Sequence, residues 1–337
     1  RGRDGAYYVG LNLAHDGKKT TYNAGGQYMG TWGGFSGWAI RSSPANRFEP
    51  FAYGLRSPAS LGFDPQGHLW YADNQGEFVG TSKLFRLRKD KFYGHPSSLV
   101  DLPGMTAQSP EISWDRWASR REREVILFPH NRVANSPGNP VWITHKKFGP
   151  FVGQILIGDQ TQSNLLRVTT QTVEGIEQGS VMPFFAGLES GVMRPLFLRD
   201  GSLLLGQAGR GWQAKGGKIA SLQHVRWDGK TIAPGIAAMI AIPDGFRLDL
   251  TQPLRPDANE AVLRSALKLE SWTYRDAPDY GSDELDLHAE HTTALSVSPD
   301  RRALSIRLAS TGQKQVHPQQ TARVYHAVLT AGPLFAG

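Results

Sequence analysis

The sequence predicts an all-β protein, with β-propeller-type units in its first two-thirds and a small β-sandwich in its last third. Its 38 glycines and 21 prolines are spread along 337 residues rather than gathered in tracts, which is typical of many short strands joined by tight turns. Long helical periodicity is absent. A unit of glycine turn and strand also recurs along the chain, and recurrence at intervals of roughly 40–50 residues is typical of propellers.

The recurring unit is a glycine turn followed by an apolar strand. It is found at residues 4–10, 66–72, 152–158 and 200–206. Each glycine supplies the positive φ that a hairpin turn needs, and each strand is apolar on both faces, as expected when sheets pack against sheets. Because further strands flank the unit, it resembles a propeller blade. We expect these four strands to be the inner strands of their blades; the alternative is a β-sandwich with coincidental turns.

The last third of the chain has a different pattern. Apolar and polar residues alternate in several short segments after Gly235, which favours a small antiparallel sandwich with one polar face on each sheet. Residues 245–254 also resemble the opening strand of immunoglobulin-like modules in bacterial envelope proteins. We therefore divide the chain into a propeller region, 1–236, and an immunoglobulin-like sandwich, 237–337.

Composition excludes several classes of site and of partner. The chain has no cysteine, so disulfides, iron–sulfur clusters and c-type haem attachment within it are excluded. Its longest apolar stretch, residues 236–242, is far shorter than the roughly 20 residues that span a bilayer.

Charge is unevenly distributed along the chain. Residues 1–236 hold 27 basic and 18 acidic residues, a net charge of +9, against −2 for the remainder. This imbalance favours an anionic partner or membrane surface, but not nucleic acid, because no recognisable binding module is present. A merely solvated basic surface is the alternative.

The segment 55–76, Leu-Arg-Ser-Pro-Ala-Ser-Leu-Gly-Phe followed by a glycine turn and Asp-Asn-Gln-Gly, resembles the glucose/sorbosone dehydrogenase family. The match ends at Phe-Tyr-Gly-His-Pro, residues 92–96, and weaker matches lie at 148–158 and 191–194. Members of this family are six-bladed propellers that bind pyrroloquinoline quinone. The variant here is most similar to membrane-bound dehydrogenases of bacterial envelopes, and the resemblance implies that one or two blades precede Arg1.

The resemblance implies a cofactor site. It assigns Arg56 and Arg194 to the quinone, whose carboxylates guanidinium groups would neutralise. It assigns the main chain of Gly76 and Glu77 to a calcium ion, which prefers oxygen ligands. Arg210, in a glycine-rich stretch with Trp212, is a further candidate that could bind a carboxylate or a sugar ring, or merely serve a tight turn.

The sequence departs from the family pattern at several positions. Ser57 replaces an asparagine, Glu77 replaces a proline, and Asp159 stands where the family often has a cofactor-binding lysine. An acidic residue there is unfavourable for an anionic quinone. The family's catalytic histidine lies in an earlier blade, so His130 is the candidate base here, although a single loop histidine is more often a hydrogen-bonding surface residue.

The same long loop carries a basic cluster, Arg116, Arg120, Arg121 and Arg123. Such a cluster is either a solvated face or a docking surface for an acidic partner.

Three functions follow from these observations, and the sequence leaves all three open. The first is a non-catalytic, dehydrogenase-like propeller that docks as an accessory subunit onto a membrane-associated complex, such as a respiratory or photosynthetic electron-transfer complex, on the periplasmic or extracytoplasmic side. The second is a sugar or alcohol dehydrogenase that uses pyrroloquinoline quinone with calcium. The third is a carbohydrate-binding propeller. The expected loss of the upstream base, Asp159 and the basic charge of residues 1–236 favour the first, whereas Arg56, residues 74–76 and Arg194 favour the second.

Overall fold

The computed structural model describes residues 1–13, 29–31, 33–106, 109–209, 214–309, 320–330, 332, 334 and 335. Neighbouring strands of every sheet pair in antiparallel fashion. The first sheet has the order β1-β2-β3 and the second the order β4-β5-β6-β7. Their strands are β1 (Tyr7–Gly10), β2 (Trp38–Ser42), β3 (Glu49–Tyr53), β4 (Pro58–Phe63), β5 (Leu69–Asp73), β6 (Ser82–Leu87) and β7 (Ile126–Phe128).

The third and fourth sheets repeat this arrangement, with the orders β8-β9-β10-β11 and β12-β13-β14. Their strands are β8 (Pro137–Trp142), β9 (Ile155–Asp159), β10 (Asn164–Val173), β11 (Ile176–Phe185), β12 (Val192–Phe197), β13 (Leu203–Ala208) and β14 (Ala220–Val225). Short helical segments lie at α1 (Trp114–Trp117), α2 (Glu260–Ala266) and three 3-10 turns (Pro96–Asp101, Ala118–Arg120, Lys146–Phe148). The described chain is therefore an all-β protein with consecutive, propeller-like sheets.

All four predicted strands are confirmed, but their place in the sheets differs from the prediction. β5, β9 and β13 are each the second strand of their sheet, because the strand before the glycine turn pairs with them as the first. Contacts between neighbouring sheets run through these first strands, β4, β8 and β12. β1 contacts β4 as β5 contacts β8, so β1 also corresponds to a second strand. The predicted strands are therefore not the inner ones, because the strand before each of them takes that position. The position of a strand in its sheet depends on pairing with distant segments, which a turn motif does not specify.

The sheets are held together by apolar clusters that lie between them. Leu84 and Trp70 of the second sheet pack with Ile155 and Ile157 of the third. In the same way, third-sheet side chains pack with Leu203 and Leu205 of the fourth. Sheet-on-sheet packing explains why these strands are apolar on both faces.

Strands β15 to β21 form two further sheets, with the orders β15-β16-β20-β19 and β18-β17-β21. Side chains from both sheets share one apolar core, to which Leu248, Leu304 and Ile306 contribute from one sheet and Leu269 from the other. This part is therefore a two-sheet sandwich; its immunoglobulin-like character and the division at residue 237 stay predictions. The strands are β15 (Ile236–Ile242), β16 (Gly245–Leu250), β17 (Leu267–Thr273), β18 (Leu285–Ala289), β19 (Thr292–Val297), β20 (Ala303–Leu308) and β21 (Val324–Leu329).

Candidate functional site

In three of the sheets, a side chain at the end of the second strand accepts hydrogen bonds from backbone N–H groups just before the first strand. We call this arrangement a corner. In the second sheet, Asp73 at the end of β5 accepts hydrogen bonds from the backbone N–H groups of Arg56 (2.9 Å) and Ser57 (2.7 Å). Asp73 is buried, and burial raises the pKa of its carboxyl although these backbone donors oppose the rise. The carboxylate thus fixes the loop that carries Arg56.

Asp159 makes the same corner in the third sheet. Its carboxylate accepts from the N–H groups of Asn135 (2.6 Å), Ser136 (2.8 Å) and Gln162 (2.6 Å). The side chain is fully buried, and burial raises its pKa. An aspartate at this position is unfavourable for a quinone, and in the structure its carboxylate binds the backbone of its own sheet.

The fourth sheet uses an amide at the same position, where Gln207 accepts from the N–H group of Ser190 at 2.7 Å. The sequence signal that could have identified this corner is the recurrence of Ser-Pro at 57–58 and 136–137, each with an aspartate at the end of the second strand that follows.

Arg56, Gly76 and Glu77, three of the predicted cofactor residues, do lie together. The Nε of Arg56 donates to Oε2 of Glu77 at 2.7 Å, and each of the two residues is only 5% exposed. The other carboxylate oxygen, Oε1, accepts from the N–H group of Met29 at 3.1 Å. Gly76 packs so closely that a Cβ on it would lie 1.9 Å from Cζ of Arg56. The loop after β5 therefore encloses the guanidinium that the sequence assigned to a quinone.

A segment from the C-terminal part, residues 275–283, covers this loop. The N–H groups of Gly281 and Ser282 donate to the carbonyls of Gly76 (3.1 Å) and Gly80 (2.9 Å). The guanidinium of Arg56 lies 5.2 Å from the ring centroid of Tyr280, an arrangement in which a cation is attracted to the face of a ring. Sequence reasoning missed this cover, because nothing in residues 275–283 points to a partner some 200 positions earlier.

The same segment contributes Asp276 to a buried cluster of two cations and two carboxylates. Lys83 lies 2.5 Å from Asp276 and 3.9 Å from Glu124, and Arg121 pairs with both carboxylates at 3.3 and 2.9 Å. Burial alone would raise the pKa of Glu124, but Lys83 and Arg121 together lower it to about 2. The cluster joins the second sheet to the C-terminal part. A lysine inside the strand Ser82–Leu87 was the available sequence signal, because buried charges need partners.

Arg121 belongs to the basic cluster that the sequence analysis assigned to a solvated face or to a docking surface, and its side chain is only 7% exposed. Arg120 instead lies over Trp117, with its Cζ 4.9 Å from the ring centroid. The basic cluster is therefore not one continuous solvated face.

Two further candidates lie at other sheets, His130 beside the third and Arg194 on the fourth. His130 is half-buried beside the third-sheet corner, where its Nε2 is 3.2 Å from Nδ2 of Asn135; burial lowers its pKa, and Asp159 partly opposes this. Arg194 lies on the exposed side of β12 and donates to the carbonyl of Met193 at 2.9 Å. Arg210 lies outside the described residues.

The residues around Arg56 do not fit the quinone and calcium that the resemblance implies. The position where a cofactor carboxylate would meet Arg56 is filled by Glu77. The carbonyl of Gly76 already accepts from the N–H groups of Val79 and Gly281, both at 3.1 Å. Among the residues that the structure describes, no group of three or more histidine or carboxylate side chains is arranged to hold a metal ion.

The fourth sheet presents a second feature, a face on which the exposed leucines Leu196 and Leu222 lie with the half-buried Leu204 and the imidazole of His224, and which we call the open face. Leu196 is 57% and Leu222 is 68% exposed. Leu222 pairs with Gly206, one residue before the corner side chain Gln207. By the same register, Leu84 is its equivalent in the second sheet and Leu165 in the third.

Those two equivalents are 0% and 1% exposed, because each is covered by the next sheet along the chain. The open face is thus a packing surface of the kind that binds a neighbouring sheet elsewhere in the molecule. No helix in the described ranges is long and apolar enough to cross a bilayer.

No family model matches this chain, and no curated protein is significantly similar to it. It is similar to the solved structure of an oxidoreductase described as a glucose dehydrogenase from Thermus thermophilus, at 16% identity over 66% of this chain and 62% of that chain, with a TM-score of 0.44. It is also similar to the PQQ-bound aldose sugar dehydrogenase of Streptomyces coelicolor, at 16% identity over 66% of this chain and 59% of that one, with a TM-score of 0.43.

A further likeness is to the PQQ domain of the pyranose dehydrogenase from Coprinopsis cinerea, at 11% identity over 66% of this chain and 68% of that one, with a TM-score of 0.38. The chain spans 62% and 59% of the length of the first two structures. At these identities and TM-scores the likeness carries no conclusion about the activity of this chain.

Proposed function

We propose that this chain is a non-catalytic, dehydrogenase-like propeller that docks as an accessory subunit onto a membrane-associated complex on the extracytoplasmic side. The observation that carries the proposal is the open face. Leu222 is two-thirds exposed at a position that is fully buried in both other sheets with the same register. Exposed leucines on one face of a sheet favour a protein partner.

The contacts around Arg56 support a non-catalytic role. Glu77 neutralises the guanidinium and Tyr280 lies over it, so the cation that would hold an anionic cofactor is already paired. The half-buried His130 shares a hydrogen bond with Asn135 and belongs to a different corner. We derive no proton transfer from this arrangement.

Charge indicates the kind of partner. Residues 1–236 carry a net charge of +9, and Arg194 lies on the same exposed side as Leu196. A partner with an apolar surface bordered by carboxylates would match both properties. Burial of each leucine contributes roughly 1.5–3 kcal/mol, whereas exposed charge pairs contribute less and are screened by salt.

The test is a salt wash of native membranes followed by detection of this chain. We expect the wild-type chain to stay attached at high salt, because apolar burial is insensitive to screening. The variant Leu222→Asp should be released, while Leu287→Asp should not, since Leu287 is a similarly exposed leucine (46%) on β18. Equal retention of both variants would exclude docking through the open face. A wild-type chain free of membranes at low salt, with quinone-dependent sugar oxidation, would instead establish the dehydrogenase.

A further inference from the structure

A cavity lies between the third sheet and the C-terminal part, and the buried cation Arg167 lines it. The cavity has a volume of about 1960 Å³. Its walls include residues of the third sheet, the loop before β9 and residues 225–236, which connect β14 to β15. Small ligands bind preferentially in cavities where separate parts of a protein meet. The groups on these walls therefore indicate which ligand the cavity fits.

Arg167 differs from the other buried cations of the described chain. Arg56 is paired with the carboxylate of Glu77. Lys83 is paired in the same way with Asp276. Arg167 is 3% exposed, and within the described ranges its guanidinium donates to neutral acceptors. Burial lowers its pKa to about 10, with no carboxylate opposing the shift, so the group stays protonated at neutral pH. A buried charge without a counter-charge is unfavourable, and an anionic ligand would offset that cost.

The guanidinium of Arg167 also keeps N–H donors for a ligand. Of the five that a guanidinium carries, two donate to Oε1 of Gln154 (2.5 Å) and to the carbonyl of Ala237 (3.1 Å). A third donates to the carbonyl of Ile236 at 3.0 Å. Two remain, and the one on Nε has no partner in the part of the chain that the structure describes. A carboxylate can accept from two N–H groups of one guanidinium at once.

The side chains around Arg167 are aromatic. Its Cζ lies 4.0 Å from the ring centroid of Phe151 and 5.4 Å from that of Phe184, distances at which rings attract a cation. Trp227 lines the same cavity, so a ligand that reaches the guanidinium also meets apolar rings. Phe185 lies on the wall as well and is 44% exposed, which shows that the cavity reaches the surface of the chain.

We propose that this cavity binds an amphiphilic carboxylate, a molecule with an apolar body and one carboxylate that pairs with Arg167. The carboxylate accepts from the remaining N–H donors, and the apolar body lies among the rings, where its removal from water stabilises the complex. The proposal does not depend on docking through the open face. Arg167 is also not among the residues that the family resemblance assigns to a cofactor.

The test measures binding of decanoate by isothermal titration calorimetry, with decyltrimethylammonium as a ligand of similar chain length and opposite charge. The wild-type chain should bind decanoate, and it should bind the cation about tenfold or more weakly, because like charges would meet at Arg167. Arg167→Gln keeps a donor for the neighbouring carbonyls and should weaken decanoate binding by about tenfold or more. Arg167→Lys should restore most of the affinity. The matched control is Arg247→Gln, which should leave the affinity unchanged, because Arg247 is exposed and lies outside the cavity.

Equal affinity of the wild-type chain for both amphiphiles would overturn the proposal, as would unchanged decanoate binding by Arg167→Gln. Leu222→Asp tests binding at the open face and should keep full affinity; loss of decanoate binding in this variant would place the ligand there and refute the assignment to Arg167. If Arg167→Gln does not fold, thermal unfolding of the wild-type chain decides. Decanoate should raise its Tm, as a ligand that binds only the folded chain does, and decyltrimethylammonium should not. Equal shifts with both, or no shift with decanoate, would end the proposal.

Discussion

The second and third sheets differ from the fourth in what covers the face on which Leu84, Leu165 and Leu222 lie. Leu84, Leu165 and Leu222 occupy the same register position. The first two are buried and the third is 68% exposed. The sequence of a strand therefore predicts which residues share a face of the sheet, but it does not predict whether another sheet covers that face.

The corners show the same contrast. Asp73 and Asp159 close the corners of the covered sheets with carboxylates, whereas Gln207 closes the corner of the fourth with an amide. The two covered sheets also carry side chains that bind the C-terminal part, Lys83 in the second and Arg167 in the third. The guanidinium of Arg167 donates to the carbonyls of Ile236 (3.0 Å) and Ala237 (3.1 Å). Both covered sheets are therefore joined to the C-terminal part by buried cationic side chains.

The largest effect is expected where the second sheet is joined to the C-terminal part. Replacing Asp276 by alanine should lower the free energy of unfolding by about 3–5 kcal/mol, because Lys83 and Arg121 would lose a buried partner. Chemical denaturation measures this. The matched control is Asp279→Ala in the same segment, which is exposed and should change stability by less than about 0.5 kcal/mol. Similar losses in both variants would contradict the assignment of the cluster as the joint.

The next effect compares the same register position in two sheets. Leu165→Ala should cost about 2–5 kcal/mol, because it opens a cavity between the third and fourth sheets. Leu222→Ala in the isolated chain should cost less than about 0.5 kcal/mol, since the side chain is exposed. The two values come from parallel denaturation curves. A cost above about 2 kcal/mol for Leu222→Ala would show that the open face is covered in the isolated chain.

A third effect distinguishes the corners by pH. Asp159→Asn should cost about 1–3 kcal/mol at neutral pH, because one of the buried N–H groups that Asp159 binds would lose its acceptor. Burial raises the pKa of Asp159, so the folded wild-type chain takes up this proton more readily than the unfolded chain. Its stability relative to the variant should therefore grow as pH falls through the raised pKa and diminish as pH rises.

The control for that pH dependence is Gln207→Ala in the fourth sheet. It removes a corner hydrogen bond without removing a titratable group, so its cost should not vary with pH between neutrality and about pH 4. A constant difference between the wild-type chain and Asp159→Asn over the same range would refute the pKa direction.

Local features of this molecule could be predicted from the sequence, and non-local ones could not. The glycine turns predicted four strands correctly because a turn depends on a few adjacent residues. They did not predict that β5, β9 and β13 are second strands, since pairing depends on distant segments. The motif around Arg56 correctly placed Gly76 and Glu77 beside it, because all three residues belong to one short stretch of the chain. That Glu77 neutralises Arg56, and that Tyr280 covers it, depends on side-chain geometry and on a segment from the far end of the chain.

The smallest change in stability is expected on the open face itself, where the consequence is association rather than unfolding. β14 is an edge strand, and exposed edges with apolar side chains favour pairing with another chain. The isolated wild-type chain should therefore self-associate as its concentration rises, as measured by sedimentation velocity. Leu222→Lys should abolish this while changing the free energy of unfolding by less than about 0.5 kcal/mol. Leu287→Lys, on an exposed strand of the C-terminal part, should leave self-association unchanged. If the wild-type chain stays monomeric at high concentration, the open face does not bind a second copy of itself. Docking would then require a partner surface that is specifically complementary to it.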